Sequence, residues 1–246
     1  MPTDALLARF LRDLTPLRPL AVWAHGSLAG GDYQEGRSDL DLIAVLPEGT
    51  GPGVVREVVT LHRRMRTEPL AGKLHCSYLT PASSADPGRS HPTWAHGHVM
   101  RRPVTPVTRR ELHAFGRVLH GEPPAGLLPE VTDLELGEFV VRDQRDFWRP
   151  AVDKARVWRQ DIWVDLGLLT FARATVTLRE GRLISKRQAL AELAGLGAPA
   201  EVLADIERRR YDQGPAPASA EWLDRRAGLT RAYLGPAIDG LVTTYG

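Results

Sequence analysis

Apolar residues return at three- and four-residue intervals over residues 5–14 (Ala5, Leu6, Leu7, Phe10, Leu11, Leu14). That spacing predicts one buried helix face, and Pro16 and Pro19 end the helix. The pattern then changes to short continuous apolar runs. Leu20–Ala24 and Leu40–Leu46 read as buried strands, the second stopped by Pro47, and Leu74–Leu79 reads as a third strand ended by Pro81. Between the second and third, residues 53–66 carry Val54, Val55, Val58, Val59, Leu61 and Met65 at helical spacing. Residues 80–107, rich in Pro, Ser, Gly and His, show no period and predict a long irregular segment. Thr108 with Glu111 three residues on has the form of a capping box for a helix through Leu119. Gly121, Pro123 and Pro124 break the chain there.

Beyond residue 133 strand patterns nearly vanish. Helices are predicted over 133–145, 151–179, 185–194, 199–211 and 221–242, with Ser185 and Gln188 forming a second capping box and a Pro/Ala/Gly linker over 212–218. The expected organisation is α+β: an N-terminal α/β domain over residues 1–128 and an all-helical C-terminal domain over 129–246.

Composition narrows the class. Of 246 residues, 43% are hydrophobic and 25% charged, which excludes wholesale disorder. The single cysteine, Cys76, excludes an intramolecular disulfide and a cysteine-cluster metal site. A net charge of +2 argues against a broad nucleic-acid footprint. No apolar run reaches membrane-spanning length. Residues 1–14 mix Asp4, Arg9, Arg12 and Asp13 with leucines and lack a signal-type apolar core, so the chain reads as an unprocessed cytoplasmic protein. Nothing in these patterns specifies an oligomeric state.

The candidate chemistry lies in residues 25–41, HGSLAGGDYQEGRSDLD. Gly26 and Ser27 follow the first strand and open a turn, where backbone N–H groups and a hydroxyl can cradle a phosphate. Asp39 and Asp41 stand two apart at the second strand, so a period of two puts both carboxylates on one face. Two converging carboxylates suit a hard cation such as Mg²⁺, with substrate phosphates and water completing its shell. Phosphate donors beside such a pair make a site for nucleotidyl transfer.

These residues resemble the signature of the nucleotidyltransferase superfamily with the polymerase β-type fold. The nearest resemblance is to aminoglycoside adenylyltransferases of the streptomycin/spectinomycin type. Gly26, Ser27, Ser38, Asp39 and Asp41 fall on the signature. A second match is Leu169-Thr170-Phe171-Ala172-Arg173, then Gly181 and Lys186. The resemblance implies a nucleotidyltransferase domain with a small mixed sheet followed by a helix bundle. It implies ATP and Mg²⁺, with a small-molecule acceptor, aminoglycoside-like, bound between the two domains. It also implies that Arg173 and Lys186 contact the ATP phosphates and that Tyr211 lies near the nucleotide.

The family carries a third carboxylate on the strand after Asp-x-Asp, as metal ligand or base. Here His75 stands at that position. Three readings follow: histidine, with an ordinary pKa near 6.5, serves as the general base; the protein binds nucleotide but transfers slowly; or His75 is hydrogen-bonded within the fold. A protein or RNA acceptor is an alternative to a small molecule. His91, His96 and His98 lack the partners of a zinc site, and Trp94 reads as a loop anchor. Asp133, Glu135, Glu138, Asp143, Asp146, Asp161 and Asp165 are either an acidic wall for a polycationic substrate or helix faces balanced by Arg142, Arg145 and Arg149.

Overall fold

The computed structural model describes residues 1–48, 53–86, 88–212 and 218–246. It divides into two compact units, Met1–Val131 and Thr132–Gly246. The division falls three residues beyond the position expected from sequence. Leu128 is buried in the first unit's core, and Thr132 caps the first helix of the second.

The first unit is a six-stranded mixed sheet: β1 (Ala21–Ala24), β2 (Leu40–Val45), β3 (Leu74–Leu79), β4 (Ser90–Ala95), β5 (His98–Pro103) and β6 (Arg117–Gly121). Their spatial order is β5-β4-β3-β2-β1-β6. Only β2 and β3 run parallel, and their crossover carries helix α1 (Gly53–Arg64), as a parallel pair requires. The N-terminal helix αN (Pro2–Leu14) covers the same face as α1. Phe10, Leu14, Val58 and Leu61 pack there against Val22, Leu42, Ala44, Cys76 and Tyr78. The opposite face is divided. Trp23, Ile43, Val45 and Leu79 are covered by Leu112 and Leu128 from helix α2 (Pro106–Phe115) and the chain after it. The remainder of that face carries Asp41, His75, Ser77 and Thr93 and stays polar. Strand alternation thus gives one apolar layer and one half-open polar layer.

Three expectations for this unit are corrected. Residues 80–107 are not an irregular loop: β4 and β5 form a hairpin whose turn residues, His96 and Gly97, have φ of 54° and 82°. Such a pair of left-handed residues matches the right-handed twist of the strands. Trp94, expected as a loop anchor, is buried on β4 and stacks on His62 with ring centroids 4.6 Å apart. The helix expected from Thr108 to Leu119 begins three residues earlier, because Thr105 Oγ1 accepts from the Thr108 N–H, and it ends at Phe115. Beyond it the chain extends as β6 beside β1.

The second unit is helical: α3 (Asp133–Asp143), α4 (Arg149–Val152), α5 (Asp161–Glu180), α6 (Lys186–Gly195), α7 (Ala200–Glu207) and α8 (Ala220–Tyr245). Thr132–Glu135 and Ser185–Gln188 are reciprocal capping boxes. A π-helical turn over Gln144–Trp148 follows α3, and another over Arg208–Asp212 follows α7. The single helix expected over 151–179 is interrupted. Trp158 donates its indole N–H to Ala151 O at 2.8 Å and lies against Gly167, where an added Cβ would sit 2.6 Å from the ring. Of the linker expected over 212–218, residues 213–217 lie outside the described residues.

Candidate active site

The site on the first unit is built where β1 ends. His25 N–H donates to Asp41 O at 3.0 Å, tying the turn after β1 to the start of β2. Gly26 follows with φ of +62°, and a Cβ there would stand 3.0 Å from Asp41 Oδ2. Only glycine takes this turn without strain while leaving the carboxylate its room. Asp39 precedes β2 and Asp41 lies on it, with 42% and 37% of their side chains exposed. The loop between turn and strand is braced: Gln34 N–H donates to Ser38 Oγ at 3.0 Å, and Lys73 Nζ donates to Arg37 O at 3.0 Å.

Position 75 is fixed by the parallel register, which pairs Asp41 with His75. His75 Nδ1 lies 3.6 Å from Asp41 Oδ1, and its Nε2 is buried with no hydrogen-bond partner. His96 meets the His75 ring edge-on with centroids 4.6 Å apart. Burial, then the neighbouring His75 and Arg102, hold the His96 imidazole below its ordinary pKa. Lys73 Nζ lies 3.5 Å from Asp39 Oδ1. Each carboxylate therefore has a nitrogen group beside it, beyond hydrogen-bond length, on a half-exposed polar face.

This donor set fits Mg²⁺. Two hard carboxylates share one face, and the backbone draws back to a glycine beside one of them. Among the described residues no three His, Cys, Asp or Glu side chains converge into a complete metal cage. Mg²⁺ commonly uses one or two protein carboxylates and takes its other oxygens from substrate phosphates and water.

Glu111 was missed in the sequence. Its carboxylate is buried, accepts from Gly26 N–H at 3.3 Å and lies 3.4 Å from His25 Nδ1. One N–H of the expected phosphate cradle is thus already engaged by the protein. The register of the α2 cap was the available signal: moving the N-cap from Thr108 to Thr105 turns Glu111 from a capping partner into an inward-facing residue.

The family model described as nucleotidyltransferase domain matches residues 5–74, the stretch from αN through Gly26, Ser27, Asp39 and Asp41 to the start of β3. The chain carries a nucleotidyltransferase domain. Among curated proteins none matches the chain. The solved structure of spectinomycin adenyltransferase AAD(9) from Enterococcus faecialis with ATP and spectinomycin is similar at a TM-score of 0.71 and 13% identity. The match covers 94% of this chain and 98% of that one, so the likeness of fold extends through the helical unit.

The first unit holds Gly26, Ser27, Ser38, Asp39, Asp41 and His75, the first five within the matched stretch. The helical unit holds Arg173, Lys186 and Tyr211. Arg173 Nε donates to Ile184 O at 2.9 Å, which ties α5 to the chain two residues before Lys186 at the start of α6. The Arg187 guanidinium lies 3.9 Å over the Tyr211 ring. Five of the seven acidic residues named above are engaged within the protein, Asp143 by the Trp148 indole N–H. Asp165 accepts from Arg209 at 2.6 Å and Asp161 pairs with Arg226 at 2.7 Å, while Asp146 pairs with Arg145 and Glu135 caps α3. No helix among the described residues is long and apolar enough to cross a membrane.

Proposed function

We propose that the protein transfers AMP from ATP to a hydroxyl of a small molecule. The observation that carries this reading is the adjacency of Asp39, Asp41 and His75 beside the Gly26 turn, with Gly26, Asp39 and Asp41 inside the stretch that matches the nucleotidyltransferase domain and His75 one residue past it. Asp39 and Asp41 would hold Mg²⁺, which when bound neutralises triphosphate charge and polarises the α-phosphoryl group. Ser27 and the N–H groups after Gly26 bind phosphate oxygens, and Ser38 keeps the intervening loop closed. Arg173 and Lys186 bind the triphosphate, with Tyr211 beside the nucleotide. The acceptor oxygen bonds to the α-phosphorus as the bond to the β-bridging oxygen breaks. Pyrophosphate leaves with that electron pair, and His75 Nε2 takes the hydroxyl proton.

A second reading, nucleotide binding with slow transfer, is favoured by one observation: an imidazole occupies the place of the third carboxylate. The test for both is incubation with α-labelled ATP and Mg²⁺ across an acceptor panel that includes spectinomycin and streptomycin. An adenylylated product with matching pyrophosphate, lost in Asp41→Asn, supports transfer. ATP·Mg²⁺ binding with no product from any acceptor supports the second reading, and absence of ATP binding overturns both.

A further inference from the structure

The polar half of the sheet face does not end at His75. A cavity of about 220 Å³ continues from Asp41 and His75 along β3, lined by Ser77, Thr93, Arg102, Thr105 and Thr108. All of it belongs to the first unit. The register explains its composition. Ser77 pairs with Thr93, and β5 brings Arg102 opposite His91, so these side chains share one face with His75.

Following the hydroxyl protons defines what the cavity can bind. Thr93 donates to His91 O at 3.2 Å, so the 2.8 Å contact between Ser77 and Thr93 uses the Ser77 proton. Ser77 Oγ is left with lone pairs. His75 stands two residues before Ser77 on the same strand face, and its Nε2 has no hydrogen-bond partner within the protein. A hydroxyl acceptor and an unpartnered imidazole nitrogen thus stand two residues apart on one strand face. Arg102 contributes a guanidinium with no ion pair among the described residues, and Asp41 is the only carboxylate in the lining. The volume lies below the range of drug-sized sites, enough for a single ring or a short chain.

We infer that this cavity is the acceptor subsite and that it takes a small polyol carrying an anionic group, a carboxylate or a phosphate. The reacting hydroxyl donates to His75 Nε2, a neighbouring hydroxyl donates to Ser77 Oγ, and the anion pairs with Arg102. A polycation places charge against Arg102 and is disfavoured. This inference rests on the adenylyl-transfer reading, deepening it to a substrate class.

The test is an NMR titration of the full chain labelled with ¹⁵N-histidine, with the His75 imidazole assigned through His75→Gln. The probes are D-gluconate, D-glucose 6-phosphate, neutral sorbitol and streptomycin. Either anionic polyol is expected to shift the His75 signal at lower concentration than sorbitol, and the responding one reports whether carboxylate or phosphate is preferred. Arg102→Ala should weaken that response about tenfold or more, the scale of losing a charge-assisted hydrogen bond, and Ser77→Ala should weaken it severalfold. The inference is overturned if neither anionic polyol moves His75, if sorbitol or streptomycin matches them, or if Arg102→Ala changes nothing. Calorimetry of ATP·Mg²⁺ with the wild-type protein separates the two readings. Nucleotide binding without a probe response removes only the acceptor class, whereas absent nucleotide binding removes the transfer reading.

Discussion

Both units concentrate charge, and they hold it differently. On the nucleotidyltransferase sheet, Asp39 and Asp41 have nitrogen partners at 3.5 and 3.6 Å and more than a third of each side chain is exposed. In the helical unit, Asp205 accepts from both Arg209 and Arg226 at 2.8 Å, and Arg209 also reaches Asp165 at 2.6 Å. Those groups are buried, Arg226 completely. Burial raises the Asp205 carboxyl, and the hydrogen bonds from Arg226 and Arg209 outweigh it, leaving the group below its ordinary pKa. On the proposed function, the charges that would meet the ligand have their nitrogen partners at 3.5 Å or more and are half-exposed, whereas Asp205, Asp165, Arg209 and Arg226 are tightly paired and buried. Distance and exposure together separate these two sets, where residue type does not.

The largest expected effect is on the braced side. Arg226→Ala leaves the buried Asp205 short of a partner and takes one from the half-exposed Asp161. It should destabilise the helical unit by about 3–5 kcal/mol, read by chemical denaturation. A loss below about 1 kcal/mol would show that the network is hydrated and the contrast false. Next, Asp41→Asn should lower transfer about 10²–10³-fold, the scale of removing one preorganised electrostatic contact. It should change stability by less than about 1 kcal/mol, because exposed pairs contribute little. An unfolded Asp41→Asn protein would move that carboxylate into the structural class.

Smaller effects sharpen the comparison. Lys186→Ala should weaken ATP binding by about 1.5–3 kcal/mol in calorimetry, as expected for a lost charge-assisted contact. Arg173→Ala should do the same and also lower the melting temperature, because Arg173 additionally holds Ile184 O. Equal stability of the two variants would reduce that hydrogen bond to a bystander.

Acid should then distinguish the units. His62 is buried against Phe10 and Trp94, and burial lowers its pKa to about 3. The unfolded chain takes up a proton near pH 6.5 that the folded sheet refuses. Stability is therefore full above that pH and falls as pH drops toward 3, by at most about 1.4 kcal/mol per pH unit from this residue. The depressed Asp205 carboxyl keeps its contribution until pH falls below about 4. Hydrogen exchange at pH 5 should show the sheet loosening before the helical bundle, and the reverse order would contradict both assignments.

The elements that were legible in the sequence are those whose burial is simple. Leu74–Leu79 and Leu40–Val45 are apolar runs in the middle of the sheet, and αN shows one clean stripe. The edge strands were not legible for the opposite reason. Arg117–Gly121 is mostly exposed, and β5 carries Arg101, Arg102 and Pro103, so neither shows an apolar period. The His96-Gly97 turn was the readable sign of the hairpin, a short polar dipeptide that takes two left-handed conformations. At the site, Asp39 and Asp41 were legible from a spacing of two. Glu111 required knowing which threonine caps α2, a matter of three residues that local pattern does not decide.

The parallel register between β2 and β3 has a consequence at the level of the gene. Codons for histidine and aspartate differ only in their first base. Because the backbone already holds position 75 beside Asp41, a point mutation there would install a third carboxylate with no insertion, loop change or strand shift. In mutational space the two-carboxylate and three-carboxylate forms of this domain are immediate neighbours. A library of single-base variants selected for turnover would sample the crossing directly, with the imidazole as its starting point.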